Sequence, residues 1–130
     1  MALQKRFLSL MMVVFLGLAG ALVILEAFEK PQGEIREVRE IVLVARKMAY
    51  NTDNPPLTLK VGQPVRLIII NEDKGMLHDF VIEELDISTS GPLEFGRSEV
   101  INFVPTKKGK YEYFCSYHAK MMRGKVVIRD

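Results

Sequence analysis

From Ile41 to the C-terminus no segment sustains an apolar repeat near 3.6 residues. Instead, short β-branched and aromatic runs recur, each cut off by turn-forming residues. Ile41–Ala45 is a β-branched run that leads to Met48-Ala49-Tyr50, and Asn51–Pro56 must be a loop. Leu57–Val61 alternates cleanly, Gly62-Gln63-Pro64 turns the chain, and Val65–Ile70 follows. Asn71–Gly75 is polar, His78–Ile82 resumes the sheet, and Leu85–Gly96 is long and irregular. Val100–Val104, Tyr111–Cys115 and Lys125–Arg129 complete the series, with a turn at Pro105–Gly109. About seven short strands at intervals of roughly 8–12 residues indicate an all-β fold, an antiparallel Greek-key β-sandwich.

The chain has 130 residues, enough for one domain and not for two. It reads as three parts: residues 1–26, a charge-rich tether at 27–40, and the domain at 41–130. Lys5 and Arg6 precede an apolar stretch of 19 residues, Phe7–Leu25, which at about 1.5 Å per residue spans roughly the hydrocarbon core of a bilayer. A cleaved signal peptide would use the small residues Ala19-Gly20-Ala21. The apolar run continues through Leu22–Leu25, where a cleaved signal turns polar, so a retained N-terminal transmembrane helix is the favoured reading. The basic pair stays cytoplasmic, which places the domain on the periplasmic or extracytoplasmic side. The tether contains Pro31 and Gly33, with helical tendency over Glu34–Glu40.

The net charge of +2 gives no general attraction to nucleic acid. Charge is unevenly spread: residues 71–99 hold eight acids and two bases, residues 105–130 seven bases and two acids. Ordinary solvated strands and turns are the favoured account of this, ahead of separate docking faces.

The chemistry-bearing residues are few. The chain has one cysteine and two histidines. Cys115 cannot form an internal disulfide, and an unpaired thiol in an exported protein is a liability unless buried or ligated. Cys115 and His118 lie close together, followed by Met121 and Met122, while His78 lies upstream at the start of an apolar run. One thiolate, two imidazoles and a thioether are the ligand set of a mononuclear electron-transfer copper site, with a trigonal core and a long axial bond to Met. On a helix, Cys115, His118 and Met122 would share one face and could be plain core. Lys110–Phe114, however, alternates and is aromatic-rich, so it belongs on a strand. Cys115 then ends that strand, and a short loop brings His118 and Met122 around the same point at low entropic cost.

The run Tyr111-Glu-Tyr-Phe-Cys-Ser-Tyr-His-Ala-Lys-Met-Met-Arg-Gly-Lys-Val-Val-Ile resembles the C-terminal signature of the cupredoxins, the blue copper proteins, and is similar to their amicyanin- and plastocyanin-like members. Asn71-Glu-Asp-Lys-Gly-Met-Leu-His-Asp-Phe resembles the family's segment bearing the first histidine. The resemblance covers roughly Ile41 to Asp130. It implies one copper ion cycling between Cu(I) and Cu(II), with His78, Cys115 and His118 as trigonal ligands and Met122 in preference to Met121 as the axial one. Two residues depart from the family pattern. Asp79 stands where Asn is common, and a carboxylate there lowers the reduction potential. Tyr117 stands where Pro is frequent, and its N–H could bond to the Cys115 sulfur and raise the potential.

The resemblance implies an electron carrier, not an enzyme, with no small-molecule substrate and no nucleic acid. Its partner would be a redox protein such as a cytochrome or oxidase. Ala119, Lys120, Met121 and Arg123 would surround His118 as a docking patch with positive charge. Copper storage or delivery uses the same ligands, and an accessory subunit of a respiratory complex is a further alternative. The binuclear centre of oxidase subunit II is excluded, because it needs two bridging cysteines.

Overall fold

Strand β1 (Arg39–Arg46) opens the domain by laying its backbone alongside β4 (Val65–Asn71), from Arg39 opposite Val65 to Ala45 opposite Asn71. The structure is a computed structural model that describes residues 36–130. The expected N-terminal transmembrane or signal segment therefore lies outside the described residues. No helix among the described residues is long and apolar enough to cross a membrane.

Two sheets form. In the first, the order is β2 (Ala49–Tyr50), β1, β4, β7 (Ser98–Phe103). In the second it is β3 (Leu57–Lys60), β9 (Arg123–Arg129), β8 (Gly109–Phe114), β5 (Val81–Ile82), β6 (Ile87–Ser88). Both sheets contribute to a single apolar core. From the first come Leu43 and Ala45 of β1 and Val65, Leu67 and Ile69 of β4. From the second come Leu57 and Leu59 of β3, Ile82 of β5, Tyr113 of β8, and Val126 and Ile128 of β9. The burial alternates with a period of two along β1, β4 and β9, as the pleat requires. Each fully buried aliphatic side chain contributes on the order of 1.5–3 kcal/mol.

The all-β sandwich agrees with the sequence, but the expectation of purely antiparallel sheets does not. β1 pairs parallel to β4, and β3 pairs parallel to β9. After the β1–β2 hairpin the chain contributes β3 to the opposite sheet before returning as β4, and such an excursion brings a strand back in its starting direction. The helical tendency over Glu34–Glu40 is also corrected where it is described: residues 36–38 are irregular, and Arg39 and Glu40 are already paired in β1. Parallel backbone pairing with β4 outweighs the weak helix propensity of a charged run.

Candidate metal centre

The loop between β8 and β9 closes on itself. Cys115 has extended backbone and is followed by one turn of 3₁₀ helix, Ser116–His118. The His118 N–H donates to the Cys115 carbonyl at 3.1 Å, and the His118 carbonyl accepts from the N–H groups of Met121 and Met122, both at 2.9 Å. The Cys115 N–H then donates to the Met122 carbonyl at 2.9 Å. This ladder returns Met122 to the side of Cys115 and points consecutive methionines opposite ways. Met122 is fully buried, whereas Met121 is 54% exposed.

His78 arrives from a different loop. It forms an isolated bridge to Leu93, with N–H···O bonds of 3.2 and 2.7 Å. Buried Asn71, the last residue of β4, donates its amide to the carbonyls of Met76 and Leu93 and so sets the path of that loop. The His78 ring is fully buried, with Nε2 3.1 Å from Asp73 Oδ2 and Nδ1 3.7 Å from Cys115 Sγ. A carboxylate can only accept, so Nε2 carries the proton and the Nδ1 lone pair is directed toward the sulfur.

That separation suits a shared metal ion. With bonds of about 2.3 Å to sulfur and about 2.0 Å to nitrogen, two donors to one trigonal ion would stand about 3.7 Å apart. The second imidazole, His118, lies 5.0 Å from the first, ring centre to ring centre. Its Nε2 is buried without a hydrogen-bond partner, as a nitrogen reserved for a metal would be. No group of three or more His, Cys, Asp or Glu side chains forms a metal-holding cluster among the described residues. What they do hold is a sulfur–imidazole pair at ligand separation, a neighbouring imidazole with an unused nitrogen, and a buried thioether in the same loop. This soft donor set suits copper and leaves little for harder ions.

The sulfur is electrostatically prepared. Burial pushes the Cys115 thiol above its ordinary value, and the backbone N–H groups of Asp79 and Tyr117, both bonded to the sulfur, oppose that rise. The Tyr117 N–H is thus where the sequence suggested. Burial lowers the proton affinity of His78, against the hydrogen bond that its Nε2–H donates to Asp73, so the ring is disposed to remain neutral and able to ligate. Asp79 Oδ1 accepts the Ser116 N–H at 2.6 Å, and the Asp79 carbonyl accepts the Tyr50 hydroxyl. Asp79 therefore clamps the two ligand loops together. Beneath the site Tyr50, Phe80 and Tyr113 interlock, with Phe80 stacked on Tyr113 at 5.3 Å and Tyr50 edge-on to both.

Sequence reasoning missed Asp73 as the partner of His78, although an acid five positions before a candidate histidine ligand is a readable signal. It also placed Arg123 in the docking patch. In the structure Arg123 lies 3.7 Å from Glu112, with its guanidinium 5.9 Å over the Phe114 ring, and its side chain remains half exposed.

The family model for the cupredoxin-like domain matches residues 15–128. The chain belongs to the cupredoxin-like family. The cofactor that this family and this donor set call for is one copper ion. No curated protein is a significant match to this cupredoxin in sequence. Among solved structures it is similar to auracyanin A, a "blue" copper protein from Chloroflexus aurantiacus, at 17% identity and a TM-score of 0.57, covering 71% of this chain and 99% of that one. It is also similar to the metal-binding domain of the Cu(I)-exporting P-type ATPase CopA of Streptococcus pneumoniae, at 22% identity and a TM-score of 0.56, covering 72% and 87%. The copper-containing nitrite reductase of Thermus scotoductus matches at 18% identity and a TM-score of 0.62, covering 72% of this cupredoxin but only 28% of the reductase chain. At these identities the likeness is one of fold.

Proposed function

We propose that this cupredoxin binds one copper ion through His78, Cys115 and His118, with Met122 as the axial ligand, and carries single electrons between redox partners. The observation that carries the reading is the pairing of His78 Nδ1 with Cys115 Sγ at 3.7 Å, between two loops separately fixed by backbone hydrogen bonds. Copper, when bound, supplies a one-electron couple between Cu(I) and Cu(II). The protein's own part is to keep the donors still. His78, Cys115 and Met122 are buried, and their loops are cross-linked through Asp79 and Ser116. Little movement is then needed on a change of oxidation state, the condition for fast transfer. Met122 is the better axial candidate because it faces the core next to Cys115, while Met121 faces solvent.

His118 is only partly buried, so the route for an electron leads through its ring. The loops that carry the ligands also present Met76, Leu77, Tyr117 and Met121, each 39–54% exposed, and Phe95 at 56% on the segment bonded to Asn71. Exposed aromatic and methionine side chains around a redox centre suit a small, transient interface with a protein partner such as a cytochrome or oxidase. Both histidines of the chain serve one site, which leaves no imidazole for a second, substrate-binding metal. This favours a carrier over an enzyme. The sequence of residues 1–26 supports a single-pass anchor in the cytoplasmic membrane with the copper domain on the periplasmic side.

The test is a copper titration of the protein followed by visible absorption. An intense thiolate-to-copper band that saturates at one equivalent and disappears in Cys115→Ser is expected. A colourless adduct, or a band surviving Cys115→Ser, would overturn the reading.

A further inference from the structure

The copper reading leaves one well-placed carboxylate unassigned. Asp73 Oδ2 stands 3.1 Å from His78 Nε2, and the Asp73 side chain is only 19% exposed. The same oxygen accepts the Met48 N–H at 3.3 Å, and the Asp73 N–H donates to Asn71 Oδ1 at 2.8 Å. Met48 belongs to the tight β1–β2 turn, where Lys47 and Met48 both take positive φ, 51° and 62°. Such a turn ordinarily selects Asn-Gly, so this unfavourable backbone is held by its surroundings, and the Met48 N–H has a fixed direction. Asn71 is fully buried and tied to two carbonyls. The Met48 N–H thus holds the carboxylate and Asn71 holds the Asp73 backbone, and neither residue is a metal-ligand candidate. The neighbouring Asp79 uses its own carboxylate on the Ser116 N–H and is not the group held against the His78 ring.

We propose that Asp73 is a positioning residue of the copper centre. By accepting the Nε2–H hydrogen bond of His78 it makes Nδ1 the metal-facing nitrogen, and as a fixed negative charge behind that ligand it favours Cu(II) over Cu(I). A carboxylate behind a ligating imidazole sets its tautomer and raises its basicity, and the more basic ligand gains more from the more highly charged ion. The two N–H bonds to the Cys115 sulfur act the other way, so the working potential is a balance between the Asp73 and Asp79 carboxylates on one side and the Asp79 and Tyr117 amides on the other. This inference rests on the copper reading above for the potential, but not for the tautomer.

The experiment uses two variants and two readouts. In metal-free protein, nitrogen-15 NMR of the imidazoles reports which His78 nitrogen is protonated. The parent and Asp73→Asn, which keeps an acceptor oxygen, should both show the Nε2–H form. Asp73→Ala should shift toward Nδ1–H, because the Cys115 sulfur is then the acceptor left nearby. In copper-loaded protein both variants lack the charge, and both should favour Cu(I) by about tenfold more than the parent, a rise of about 59 mV, with the visible band retained. A purely structural ion pair would leave the potential of Asp73→Asn at the parent value, and that result would overturn the proposal. So would an unchanged tautomer in Asp73→Ala. Failure of the parent to take up copper would refute the copper reading, while the tautomer measurement would still decide the role of Asp73.

Discussion

Replacing Tyr117 by Pro removes one atom group of consequence, the N–H that bonds to the Cys115 sulfur. The side chain is 49% exposed, so its loss costs little packing. The remaining loop bonds, from His118 N–H to the Cys115 carbonyl and from Ser116 N–H to Asp79 Oδ1, do not use the Tyr117 amide. A hydrogen bond to the sulfur withdraws electron density and favours Cu(I), where the sulfur carries more charge. A net hydrogen bond is worth about 0.5–1.5 kcal/mol. If that difference falls on Cu(I), and a tenfold change in a one-electron equilibrium is about 59 mV, the potential should drop by roughly 20–65 mV. The assay is a redox titration of copper-loaded protein followed through the visible band, whose persistence checks that the loop has kept its shape. Tyr117→Ala retains the N–H and should stay near the parent value. A Tyr117→Pro protein at or above the parent potential would refute the reasoning, because the amide would then contribute nothing to the sulfur.

Three further outcomes follow from the packing and the buried groups. Met122→Ala should destabilise the metal-free protein by about 2–5 kcal/mol in urea unfolding, as large-to-small core changes do, whereas Met121→Ala should stay within about 0.5 kcal/mol; equal losses would contradict their opposite exposures. Gly124→Ala should cost about 1–3 kcal/mol. Its Cβ would press into the Tyr113 ring, which pairs across the sheet with Gly124, stacks on Phe80 and bonds through its hydroxyl to the Pro55 carbonyl at 2.9 Å. Alkaline pH should also weaken the fold, since burial raises the phenol pKa values of Tyr50 and Tyr113 well above their ordinary value. The unfolded chain releases these protons near about pH 10 and the folded one does not. Their contribution is therefore complete below that pH and lost progressively as the pH rises above it toward the higher folded-state values. Tyr50→Phe should flatten the decline in urea midpoint above about pH 10, and an unaltered slope would count against it.

The strand content was legible because pleat periodicity is a local property. Leu57-Thr58-Leu59-Lys60 alternates in sequence and alternates in burial. Pairing direction was not legible, because the parallel partnership of β1 with β4 is decided by a crossover that leaves no mark on either strand. The ligand candidates stood out through scarcity, with two histidines and one cysteine in 130 residues. The structure brings His78 against Cys115 and folds Met122 back to the same loop, and it gives Asp79 and Arg123 further partners that no local pattern announced. Asp79, read as a charge beside the copper, acts as one on Cys115 and His78, and its carboxylate also accepts the Ser116 N–H. Arg123, read as part of the docking patch, also lies near Glu112 and over the Phe114 ring.

The sequence by itself determined the all-β character of the domain and the chemical kind of its candidate metal donors, since residue type and short-range pattern suffice for both. Only the tertiary structure decided that Asp73 stands behind His78, that two amides face the sulfur, and which methionine is buried. Those relations depend on where backbone atoms of distant segments come to rest, and backbone N–H groups are the same in every non-proline residue. Orientation, unlike composition, comes into being when the loops close.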